Sequence, residues 1–324
     1  MPASDTFSDS KAAAQPLSIP AQPLPIGFPR GVASTGTRSS RVAAATPPWW
    51  LWWNILSLDA PTVAVIWAAV FARAAGITVR PSDEITLGLA VGIIYIADRL
   101  LDGWRSAAHA ALQERHLFCA RHRTALLGVL VPASSAIFWI STHEMTAREA
   151  QAGLILAAIV AAYIVGIHAV RGFPARLLPK ELSVGILFAA GTTLPLWAQS
   201  ATISPSAWPP MILFALLCAL NCLSIQYWEN VRSIETTRQT ARVRGAWKGN
   251  HIFWLSAALG IAALTILPVD RSQSFAKPIT AISVAAFLLL FLHLFRNRFS
   301  RPALRVLADA VLVAAGLFAL LLQA

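Results

Sequence analysis

The sequence predicts an all-α, polytopic membrane protein, a bundle of nine transmembrane helices. Three observations carry that expectation: an apolar composition, nine apolar stretches of spanning length, and basic residues that alternate from one connection to the next. Of the 324 residues, 56% are hydrophobic and only 13% are charged, with a mean hydropathy of +0.61. A soluble core cannot consume that much apolar surface, whereas a bilayer can.

The first element is a tail, residues 1–46, rich in Pro, Ser and Ala. Its prolines break every apolar run, so neither a signal peptide nor a packed core is expected there, and we read it as disordered. Residues 47–324 form the membrane domain. It opens on PPWWLWWN, residues 47–54, whose indoles suit a headgroup layer because each ring buries an apolar body and keeps one donor wet.

Spans are expected at 59–75, 84–101, 124–141, 150–170, 182–198, 209–228, 251–268, 278–295 and 303–322. Asp59 ahead of Pro61 reads as an N-cap with proline in the first turn. Pro132 and Pro195 fall inside spans, where neighbouring helices can satisfy the freed backbone groups. Of the three cysteines, Cys119, Cys218 and Cys222, the pair four residues apart, Cys218 and Cys222, lacks the further His or Cys partners of a metal site, and all three read as packing residues.

Nine spans place the termini on opposite sides. Counting alternate connections, 21 of the 26 Lys and Arg residues fall on one side, that of the N-terminus. The positive-inside bias makes that side cytoplasmic. An integral protein of a bacterial inner membrane is expected, with the bilayer as a partner and no nucleic-acid partner.

The second and sixth spans share a plan: each runs apolar to its cytoplasmic end, finishes in carboxylates and feeds a long basic connection. In the second, YIADRLLDGWR places Asp98, Asp102 and Arg105 on one helical face. In the sixth, NCLSIQYWENVRSIE places Asn221 and Glu229 two turns apart, with Arg232 beyond. Ionisable groups inside a span cost about 2.5–3.5 kcal/mol at its centre and less near an interface. Taken singly, these acids are explained equally well by pairing with Arg99 and Arg105; the doubled arrangement favours a site. Oxygen donors on two facing helix ends suit Mg²⁺, which takes one or two carboxylates plus phosphate oxygens. Flanking Arg and Lys suit the remaining phosphate charge. Asp309, four residues after Arg305, is expected to pair with it.

At these residues the chain resembles the UbiA superfamily of intramembrane prenyltransferases. That family's first motif is N-D-x-x-D-x-x-x-D; here IYIADRLLD keeps Asp98 and Asp102, with Ile94 and Tyr95 in place of the Asn and first Asp. In the second motif, Asn221, Ile225 and Glu229 occupy the acidic spacings. The run KELSVGILFAAGTTLPLW, residues 180–197, is similar to the family's fifth helix, with Lys180 at its basic position. The resemblance implies catalysis at Asp98, Asp102 and Glu229, with Mg²⁺ held by these three and Asn221. It further implies that Arg105, Lys180, Arg232 and Lys248 meet the diphosphate of an isoprenyl donor. Tyr95 and Tyr163 would face the allylic chain as it is passed to a lipophilic, possibly aromatic, acceptor.

The departures at Ile94, Tyr95 and Ile225 point to an alternative: a non-catalytic relative that binds a lipid diphosphate or acts as a scaffold. A transporter fits less well, because the acids gather at one face and not at the midplane.

Overall fold

In a bilayer every backbone N–H and C=O has to be satisfied within the chain, and a helix achieves this segment by segment. The computed structural model describes residues 48–106, 118, 121–169, 179–200, 203–236, 249–267 and 274–323. Of these, 89% are helical and none lies in a strand. The expected tail and Lys248 lie outside the described residues, as do the side chains of Asp102, Arg105 and Arg232.

A short helical segment, Trp49–Ile55, meets α1 (Asp59–Ala74) at 79°. Trp49 is 85% exposed and Trp52 and Trp53 about half so, the exposure that headgroup indoles require. Ser57, at φ +62°, makes the corner between the two. The residue capping α1 is Leu58, and Asp59 is the first helical residue, so the helix starts one place earlier than the sequence implies. The far end of α1 closes on Gly76 at φ +68°, where the Ile77 N–H reaches the Ala72 carbonyl at 2.8 Å and the Gly76 N–H reaches that of Arg73 at 3.1 Å. That pair of bonds is a Schellman cap, and only glycine adopts its left-handed corner without a Cβ penalty.

The remaining helices are α2 (Pro81–Ser106), α3 (Arg123–His143), α4 (Ala147–Ala169), α5 (Lys180–Thr192), α6 (Leu194–Gln199), α7 (Trp208–Thr236), α8 (Gly249–Ile266), α9 (Ala276–Leu294) and α10 (Arg301–Gln323). Five of these helices, α3, α4, α7, α9 and α10, are long and apolar enough to cross a membrane, and the bent Trp49–Ala74 pair makes a sixth if it counts as one span. The chain is thus an integral membrane protein. The expected fifth span is broken: α5 stops at Thr192 and α6 begins at Leu194, with Pro195 in its first turn, where a missing N–H costs nothing. Pro132, in contrast, sits inside an unbroken α3.

Helices pack largely in chain order. α1 lies against α2 and α10, α2 against α3, α4 against α5 and α6, α5 against α7, and α7 to α10 against one another. Lipid tails are as apolar as leucine, so burial alone does not hold such helices together; close fit and interhelical hydrogen bonds do. Both are present. Trp67 stacks on Phe214 at 4.5 Å between ring centroids and donates its indole N–H to the Leu312 carbonyl at 2.9 Å, tying α1 to α7 and α10. Gly185 of α5 lies so near α7 that a Cβ would run into the Ala215 carbonyl oxygen and Ala219. The helices α3 and α4, by comparison, present no buried face over their spanning windows.

Candidate functional site

About seven turns of helix separate the two ends of α2. Its start belongs to a cluster around Arg80, whose Nη2 meets Asp83 at 2.9 Å and Glu149 at 2.6 Å. The hydrogen bonds it donates to Asp83 and Glu149 hold the Arg80 guanidinium above its ordinary range. Its other end carries the half-buried Asp98 and the buried Arg99.

Arg99 does not spend its charge on a neighbour along its own helix alone. Its Nη1 donates to the Asn54 carbonyl at 3.0 Å and to that of Ile55 at 3.4 Å, placing a cation at the carbonyl end of the Trp49–Ile55 segment. From there a buried polar chain runs across four elements. Asn54 Nδ2 donates to Asp59 Oδ2 at 2.6 Å, and the Ala60 N–H to Asp59 Oδ1 at 3.0 Å. The Asp59 carboxyl lies within electrostatic reach of Asp309 on α10. Asn221 Nδ2, on α7, donates to Asp309 Oδ1 at 2.8 Å. Arg305, one turn before Asp309, forms an ion pair with Glu229 of α7 and points Nη1 at Asn54 Oδ1, 3.5 Å away.

This arrangement redirects three expectations. Glu229, expected to ligate metal, is held in an ion pair with Arg305. Asn221, expected beside it, turns its amide to Asp309. Arg305 and Asp309 share a helical face, as their spacing predicts, yet each reaches across to α7 for a partner. Among the described residues no group of three or more His, Cys, Asp or Glu is placed to hold a metal ion.

Other expected residues do converge. Tyr163 of α4 donates its hydroxyl to the Lys180 carbonyl at 3.2 Å, and its phenol lies within electrostatic reach of Asp98 and Glu181. Cys222 of α7 lies within reach of the Lys180 and Glu181 charges. Lys180 itself is exposed at the first position of α5. Thus α2, α4, α5 and α7 bring Asp98, Tyr163, Lys180 and the Asn221 to Cys222 turn to one region. Below it sits a small cavity of about 30 Å³, lined in part by Tyr95, Phe188, Asn221, Cys222 and Asp309. A larger surface recess of about 680 Å³, with Arg73 and Lys277 on its wall, lies at the opposite end of α1 and touches none of these residues.

Asn54, Asp59, Arg99, Arg305 and Asp309 are absent from the site read in the sequence. A faint signal exists, since each is a polar residue within or beside an apolar run. Nothing in the spacing, however, says that the ninth span crosses the sixth at Arg305 and Asp309.

Comparisons with known protein families, with curated proteins and with solved structures returned no match.

Proposed function

We propose that the chain is an intramembrane prenyltransferase, moving an isoprenyl group from its diphosphate to a lipophilic acceptor. The observation that supports this reading best is the meeting of Asp98, Tyr163 and Lys180 at one end of α2, α4 and α5. A carboxylate and a phenol beside the helix end that bears the exposed Lys180 match a diphosphate head above a hydrocarbon tail. The family resemblance carried by IYIADRLLD points the same way, and the reading carries with it the expected nine spans and a cytoplasmic N-terminus in a bacterial inner membrane.

The donor set fits Mg²⁺ on one side only. Asp98 and Asp102, four apart on α2, would hold the ion together with diphosphate oxygens, the combination Mg²⁺ ordinarily takes. Glu229 would not, because Arg305 already neutralises it. When bound, Mg²⁺ supplies Lewis-acid stabilisation of the departing diphosphate. Lys180 would stabilise the same developing charge, with Arg105, Arg232 and Lys248 as further candidates. The allylic C–O bond breaks, diphosphate leaves, and the acceptor forms the new bond to the allylic carbon and gives up its proton. Tyr163 and Tyr95 would present aromatic faces to the cationic carbon.

Purified protein incubated with geranyl, farnesyl or longer prenyl diphosphates tests this reading. Mg²⁺-dependent release of diphosphate, lost in Asp98→Asn, is the expected result; no release with any of them, and no Asp98-dependent binding, would sink it.

One pair of observations favours a second reading, a relative that binds lipid diphosphate without turning it over. Glu229 is spent on Arg305, and the space beneath is about 30 Å³, room for one water. Tight diphosphate binding without turnover, unchanged when Asn and Asp are restored at Ile94 and Tyr95, would decide for it.

A further inference from the structure

The buried network below Asp98 holds more acid than base. Its described cations are Arg99 and Arg305, and its carboxylates are Asp59, Asp309 and Glu229. Arg305 is engaged with Glu229, while Asp59 and Asp309 lie within electrostatic reach of one another, each taking an amide N–H from an asparagine. Asp59 is 6% exposed, and Asn221 equally so. In a poorly screened interior two such carboxylates require a compensating positive charge.

A second observation is independent of the charge. Asn221 Oδ1 is buried and has no hydrogen-bond partner among the described residues, and Asn221 lines the 30 Å³ cavity alongside Asp309 and Tyr95. A buried acceptor left unmet costs about 1–3 kcal/mol, so it points to an occupant. A proton on the acid pair would balance the charge and leave Oδ1 unmet. A water would satisfy Oδ1 and leave the charge. A small cation does both with one occupant, where a proton would need a water beside it.

We propose that this cavity is a binding site for a monovalent, sodium-sized cation, ligated by Asn221 Oδ1, the Asp309 carboxylate and the Tyr95 phenol of its wall, with Asp59 beside Asp309 adding negative charge from outside the wall. Counted over the described residues, the formal excess is one negative charge, which matches a monovalent ion. The volume selects a dehydrated one, since Mg²⁺ keeps several waters for which there is no room. Ionisable groups buried within a bundle are functional by default, and this site joins α1, α2, α7 and α10 beneath the diphosphate end. It does not rest on prenyl transfer: the ion's effect is on the packed state of four helices, whatever binds above them.

The test is thermal unfolding of the full chain in detergent at fixed pH and ionic strength, with sodium, potassium or choline chloride. Sodium should raise Tm by about 3–6 °C in a saturable way, choline should not, and potassium should do less. Asp309→Asn and Asn221→Ala should each abolish the sodium increment. Equal Tm in sodium and choline would overturn the site in favour of a proton, as would an increment retained in both variants. Equal increments from sodium and potassium would overturn the size assignment. Should Asp309→Asn fail to fold, sodium-23 NMR relaxation of the wild-type chain decides: excess relaxation over protein-free micelles, lost in Asn221→Ala, supports the site, and no excess overturns it. Mg²⁺-dependent chemistry is not among these readouts, so either proposal can fail alone.

Discussion

Helix α2 begins and ends in buried charge, and the two clusters obey different rules. Around Arg80 each carboxylate is amply met: Asp83 takes the Arg80 Nη2 and backbone N–H, and Glu149 takes Arg80, the Thr146 N–H and hydroxyl, and Gln199 Nε2. That cluster pins the start of α2 to α4 and α6 and has no acceptor to spare for a ligand. Around Asp309 the donors among the described residues fall short of the acceptors, and Asn221, whose amide oxygen is unmet, lines a cavity. Charge inside a membrane protein therefore needs a count of donors before it is called structural or functional; burial alone does not distinguish the two ends.

The sharpest way to break this contrast is Arg80→Ala. It strands Asp83 and Glu149, both under 10% exposed, without their cation. A fully buried pair loses about 3–5 kcal/mol; because the Arg80 side chain is 38% exposed, a loss of about 2–3 kcal/mol is expected in detergent unfolding. Next comes Gly185→Val, which drives a branched side chain into the α7 backbone; overpacking of this kind costs about 1–3 kcal/mol, and crosslinking between α5 and α7 should fall with it. Glu229→Gln keeps the shape of its side chain and removes its charge from the ion pair with Arg305. About 1–2 kcal/mol should be lost, and measured diphosphate affinity should change little, since Glu229 is not among the donors proposed for Mg²⁺. Smallest of all is Asp309→Asn, expected within about 1 kcal/mol of wild type in sodium-free buffer, because it removes one of two neighbouring like charges. Were Asp309→Asn to cost as much as Arg80→Ala, the two clusters would be equivalent and the contrast would be lost.

Periodicity made much of the fold legible. Runs of apolar residues become α3, α4, α7, α9 and α10 at nearly the expected limits, because backbone satisfaction in lipid leaves a long apolar run no choice but a helix. The break at Thr193 was not legible, since Pro195 is equally compatible with a kinked continuous span and with a fresh first turn. Of the candidate site, Asp98 and Lys180 were found because a carboxylate and a cation at the end of an apolar run stand out in composition. Asn54, Asp59 and Asp309 did not, since their meaning comes from partners far away in sequence, Asp309 being joined to Asn221 across 88 residues.

The sequence by itself determined that this chain lives in a membrane as helices, where the acidic helix ends lie, and which residues resemble a prenyltransferase motif. Those properties are local: hydropathy, helical spacing and neighbouring charge are all read within a few turns. Only the tertiary structure decided that Glu229 belongs to Arg305, that Asn221 belongs to Asp309, and that Asn221 lines a cavity of about 30 Å³. The physical reason is that a buried polar group takes whichever partner the crossing of two helices brings within 3 Å, and crossing angles are set by the packing of whole surfaces.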